Sequence, residues 1–160
     1  MTRDSSDPII VDLLSRWDDN KYDIPLGIID DMPSDLDPYN GFEAGLFLYW
    51  SSQNRFLNEK VQKLVEIYLP NMVPLSHKKL VEFMKNTVGY DLTASFYNEK
   101  SKDFAVDYLS FSRHWKYHYY EDLDILYPAA KKFSDIPQTE NHYKNILELL
   151  DNRYKEWKTS

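Results

Sequence analysis

Phe104, Tyr108, Phe111 and Trp115 are spaced four, three and four residues apart. That spacing lines four rings along one stripe of an α-helix. Between Asp103 and Tyr127, eight of the chain's 25 aromatic residues occupy 25 of its 160 positions. Aromatic rings bury large areas, so the stretch predicts a central packing helix over about 102–120. The remaining segments must then supply apolar faces that close over it.

The punctuation of the chain agrees with helices. Four glycines in 160 residues are too few for the tight turns of a barrel or sandwich. Eight prolines instead mark loops. Asp7-Pro8 is a helix start, with Ile9, Ile10, Leu13, Leu14 and Trp17 on one face of a helix that ends near Asp18–Asn20. A long Pro/Asp-rich loop follows at about 20–41, since Pro25, Gly27, Pro33 and Pro38 oppose helix. Ile24, Leu26, Ile28 and Ile29 are its candidates to lie extended on the core.

Gly41–Arg55 reads as a helix buried on most sides, in which Ala44, Gly45 and Ser51 permit close helix approach. Gly41 and Gly45 have the spacing of a membrane dimerisation motif, but no apolar 20-mer surrounds them. Asn58 caps a helix to about Tyr68, which Pro70 and Pro74 end. Ser76 caps another over Lys78–Thr87, with Gly89 just past it. A short helix or turn lies between Asp91 and Tyr97, and Ser101 caps the aromatic helix. Thr139 caps the last helix, Glu140–Trp157, whose inner positions are Tyr143, Ile146, Leu147, Leu150, Tyr154 and Trp157. The expected fold is an all-α single domain, residues 1–160, of six or seven helices around the aromatic one. A chain of this length buries a sufficient core without staples.

Composition narrows the chemistry. There is no cysteine, hence no disulfide framework and no thiolate nucleophile. The opening MTRDSSDPII lacks the pattern of a signal peptide, and no apolar run approaches a membrane span, so a cytoplasmic protein is expected. Neither GxSxG, a P-loop nor a dinucleotide fingerprint is present. His114, His118 and Glu121 fall at helical spacing and form a weak candidate metal site. Structural or exposed histidines are the simpler reading, so no metal or other cofactor is expected. His77 and His142 lie near helix starts and read as surface residues. Carboxylates adjacent in sequence, such as Asp30-Asp31 and Glu121-Asp122, read as solvated charges. The rings of Tyr117–Tyr120 beside Lys116 could stack bases, but Glu121, Asp122 and Asp124 repel phosphates, so packing is preferred.

Charge is the stronger functional signal. The net charge is −7, yet residues 1–44 alone carry −8, with eleven acidic residues of which ten are aspartates. Residues 45–160 carry +1. This segregation disfavours nucleic acid and anionic membrane as direct partners and favours a cationic protein. Asp18, Asp19, Asp23, Asp30, Asp31, Asp35 and Asp37 are the expected contacts, with Trp17, Tyr22 and Tyr39 as aromatic anchors. The face from Tyr117 to Asp124 is the alternative surface. An Asp-rich segment suits two modes: capping the basic site of a nuclease or similar protein, or imitating a DNA backbone.

Four segments carry a family resemblance: GLFLYWSSQN (45–54), FYNEKSKDFAVDYL (96–109), KYHYYEDL (116–123) and LLDNRYKEW (149–157). Over roughly residues 41–157 the chain resembles small bacterial helical proteins regarded as immunity proteins of contact-dependent or other polymorphic toxin systems. The resemblance implies a non-enzymatic antidote that binds a cognate toxin domain, and it carries over no catalytic residue. Three functions are therefore in view: an immunity protein that occludes a toxin, a metal-dependent enzyme built on His114, His118 and Glu121, and an acidic DNA mimic or regulator.

Overall fold

The computed structural model of the chain describes Leu26 and residues 37–88, 92–110 and 115–160. Those residues are all-α. Six α-helices follow one another: α1 (Phe42–Gln53), α2 (Glu59–Met72), α3 (His77–Thr87), α4 (Lys102–Leu109), α5 (Tyr119–Leu126) and α6 (Glu140–Thr159). Two short 3-10 turns, Ala94–Phe96 and Phe133–Asp135, join them. Among the described residues there is no strand, and one isolated antiparallel bridge pairs Leu57 with Tyr97.

The centre of the molecule is α1. Phe42, Ala44, Leu46, Phe47, Leu48 and Trp50 are all buried, as are Glu43, Ser51 and Ser52. A helix that is apolar on every side must be wrapped by others. Gly45 makes the closest approach possible: a Cβ there would stand 2.8 Å from the Leu80 carbonyl oxygen of α3. On other sides Phe47 meets Tyr119 of α5 at 5.4 Å between ring centroids, and Trp50 donates its indole N–H to Asp151 of α6 at 2.8 Å. Trp50 also packs on Phe56 and Phe104.

The helix ends follow local chemistry. Asn58 and Ser76 accept N–H bonds from Val61 and Lys79, at 2.9 and 3.1 Å, and cap α2 and α3 as their positions imply. Thr139 caps α6 through His142 N–H. Ser101 stands at the start of α4 but does not cap it; its hydroxyl donates to Phe56 O at 2.6 Å and ties the helix start to the α1–α2 loop. Pro70 does not end α2, which runs on to Met72. Pro70 lies in the last turn, where one lost N–H bond is tolerable, and the buried Met72 anchors that turn. Leu26 is fully buried and donates its N–H to Leu92 O at 2.9 Å. That residue of the Pro/Asp-rich loop does lie on the core.

The long aromatic helix over 102–120 does not form. α4 stops at Leu109, Ser110 is extended, residues 115–118 are not helical, and α5 begins at Tyr119. Yet Trp115 packs on both Phe104 and Tyr108, at 6.1 and 5.9 Å. In one continuous helix Trp115 would lie about 16 Å along the axis from Phe104. The chain therefore folds back, and the aromatic set forms a cluster between elements. The gain is tertiary: Tyr119 reaches Glu43 O with its hydroxyl, 2.8 Å, and Asp122 reaches Tyr108, 2.7 Å. No helix among the described residues is long and apolar enough to cross a membrane.

Candidate functional site

Most of the acidic stretch lies outside the described residues: Asp18, Asp19, Asp23, Asp30, Asp31 and Asp35, together with Trp17, Tyr22 and the helix expected near residues 8–20. Two of its candidate contacts are described. Asp37 and Tyr39 belong to the turn that leads into α1, with Asn40 N–H bonded to Asp37 O at 3.1 Å. Asp37 is half-buried on the wall of a cleft of about 180 Å³, opposite Leu123, Asp124 and Tyr127 of α5 and its end, and beside Lys131 and Lys132. The acidic stretch thus surfaces next to the last residue of the alternative Tyr117–Asp124 face. Tyr39 is half-buried with its ring edge-on to His77, centroids 6.0 Å apart.

His77 is not a surface residue. It is fully buried at the start of α3, stacked on Phe42 at 3.7 Å. Its Nε2 meets Ile136 O at 2.7 Å and its Nδ1 meets the Tyr143 hydroxyl at 2.6 Å. A carbonyl can only accept, so the neutral ring carries its proton on Nε2 and takes the Tyr143 O–H at Nδ1. Burial pushes the imidazole down to about 4, against the opposing pull of Ile136 O and Asp37. His77 therefore clamps α3 to α6 and to the 133–136 turn as a neutral group. The sequence held the clue: His77, Leu80, Val81 and Met84 fall on one helical stripe.

Of the candidate metal set, only His118 and Glu121 are described. His118 is the N-cap of α5 with extended backbone; its Nδ1 accepts Tyr120 N–H and its Nε2 bonds Leu109 O at 3.1 Å. Residues 115–118 are non-helical, so spacing of four has no helix to run on. Its Nδ1 thus caps α5, and its Nε2 ties that helix start to the end of α4. His114 lies outside the described residues, and no group of three or more potential metal ligands occurs among the described ones.

Asp122 departs from the reading of solvated carboxylates. It is buried, and Arg153 of α6 meets it with both Nε and Nη2, at 2.8 and 2.9 Å. Tyr108 donates to the same carboxylate at 2.7 Å. Arg153 also bonds Glu156 and stacks its guanidinium 3.4 Å from the Tyr117 ring centre. The hydrogen bond and charge of Asp122 hold Arg153 above its ordinary range, and burial beside Asp122 raises the Tyr108 hydroxyl. Local spacing hinted at Asp122, which sits between Tyr119 and Leu123 on the buried face of α5. Nothing local pointed to Arg153, 31 residues away.

Glu43, counted among the acidic charges of the first quarter, is also buried. Its Oε2 accepts Gly41 N–H at 3.2 Å, and burial still pushes it up to about 8. Near neutrality it is mostly a neutral acid. His77, His118, Asp122 and Glu43 are thus committed to contacts within the body. Ile125 and Leu126 behave in the opposite way: they stand 76% and 41% exposed at the end of α5. No protein-family model matches the chain, and neither curated proteins nor solved structures gave a match.

Proposed function

We propose that the chain is an immunity protein: a cytoplasmic antidote that binds a basic toxin domain, a nuclease in the first instance, and occludes its active site. The observation that carries this reading is the charge segregation, −8 in residues 1–44 against +1 in the remainder. With Glu43 neutral, ten aspartates against Arg3, Arg16 and Lys21 still leave −7 there. An Asp-rich segment offers short, well-directed carboxylates to arginine and lysine, and accelerates encounter with a cationic surface. The aromatic segments that resemble immunity proteins add support, and the four polar clusters of the body (His77, His118, Asp122 and Glu43) read as scaffold for the acidic face. Function on this account is stoichiometric binding, not turnover. Tyr39 leans on His77, so Trp17 and Tyr22 are the stronger candidate anchors.

For the test, the purified product of the adjacent upstream gene is taken as the candidate effector domain. Reversing Asp18, Asp19, Asp23 and Asp35 to lysine is expected to weaken its binding by about 100-fold or more, with the helical signal unchanged. Undiminished affinity would remove the acidic stretch from the interface.

A further inference from the structure

The end of α5 presents a knob beside a hole. Ile125 is the most exposed large apolar side chain among the described residues, and Leu126 adjoins it. Next to them opens a cleft of about 450 Å³, walled chiefly by Leu126, Pro128, Ala129 and Pro137. The loop that forms the far wall is braced, because Asp135 Oδ2 accepts the backbone N–H groups of Lys131 and Lys132 at 3.1 and 3.3 Å. Charge of both signs borders this apolar centre: Lys131 and Asp135 line the cleft, and the exposed Asp124 precedes Ile125 on the helix, on the neighbouring cleft that Lys131 also lines. A surface that carries its own knob, its own hole and both charges is complementary to a copy of itself across a twofold axis.

We propose that this face joins two copies of the chain, with Ile125 of each seated in the Leu126–Pro137 cleft of the other and Asp124 of each opposite Lys131 of the other. The contact is compact, so a reversible dimer that forms in the micromolar range is expected rather than an obligate one. This inference is independent of the toxin partner.

Sedimentation velocity on the full chain, over a series of concentrations, tests it. The wild type should pass from monomer to dimer as concentration rises. Ile125→Asp should raise the dissociation constant at least about tenfold, and Leu126→Ser should do so as a milder second variant. Both sites are exposed, so circular dichroism should stay unchanged. Asp124→Lys and Lys131→Asp should each weaken the dimer, and the double exchange should restore it. A wild type that stays monomeric throughout overturns the proposal, as does a dimer indifferent to Ile125→Asp. A double exchange no better than either single change also overturns it. A monomeric wild type whose affinity for the effector domain falls with Ile125→Asp would assign the face to that partner instead.

Discussion

At the scale of single residues, three positions decide most. Gly45 lies where α1 touches the backbone of α3, 2.8 Å from where a Cβ would meet Leu80 O. Gly45→Ala gains helix propensity of about 1 kcal/mol but must push α1 and α3 apart, which costs about 1–3 kcal/mol. A net loss in the urea midpoint is expected, and an unchanged or raised midpoint would refute the close contact. Asp122→Ala leaves Arg153 charged and half-buried beside Tyr117; removing one member of such a pair costs about 3–5 kcal/mol. Chemical denaturation would measure it, and a loss under about 1 kcal/mol would place Arg153 in solvent. The third case is a pair of buried titrating groups, His77 and Glu43. His77 falls from an ordinary 6.5 to about 4, so its contribution is present above 6.5 and lost as pH falls towards 4. Glu43 rises from 4.5 to about 8, so its contribution is present below 4.5 and lost as pH rises towards 8. Between 4.5 and 6.5 folding moves a proton from His77 to Glu43 and the two slopes cancel. From pH 6.5 to 8 the folded chain holds one extra proton, and stability should fall by roughly 2 kcal/mol. Urea midpoints at about pH 7 and pH 8 should differ in the wild type and converge in Glu43→Gln, whose remaining His77 contributes no slope there. An equal fall in both proteins would contradict the assignment.

At the scale of elements, ends were more legible than the centre. Asn58, Ser76 and Thr139 announce helix starts because a cap is a local device, settled within three residues. Asn58 also fastens a loop: its N–H bonds Phe96 O at 2.7 Å and its amide meets Ser95 O. Asn58→Ala should therefore cost more than the roughly 1 kcal/mol of an ordinary cap. A melting temperature shifted no further than by Ser76→Ala would deny the second role. The aromatic stretch misled for the converse reason. Phe104, Tyr108 and Trp115 have helical spacing, but their packing energy is equally available to a chain that folds back. The contacts of Tyr119 with Glu43 and of Asp122 with Arg153 favour the return. Those partners lie 76 and 31 residues apart, beyond the reach of periodicity. The candidate site divides in the same way. Charge segregation and the place of Leu26 on the core were readable from composition and pattern. The burial of His77 and Asp122 was written in their stripes and masked by their polarity.

At the scale of the whole molecule, a helical body wrapped around α1 carries a strongly acidic stretch at one end of its sequence. The body binds its polar groups inward, through His77 to Tyr143, His118 to Leu109 and Asp122 to Arg153. On the proposed reading the aspartates of residues 1–44 meet the cationic partner and the body serves as their scaffold. The most direct measurement is the affinity of the full chain for the neighbouring effector domain, by calorimetry, across a series of salt concentrations. The account predicts one-to-one binding with an affinity that falls steeply as salt rises, and a fall that flattens when the aspartates are reversed. Tight binding indifferent to salt, or no binding even at low salt, would contradict it.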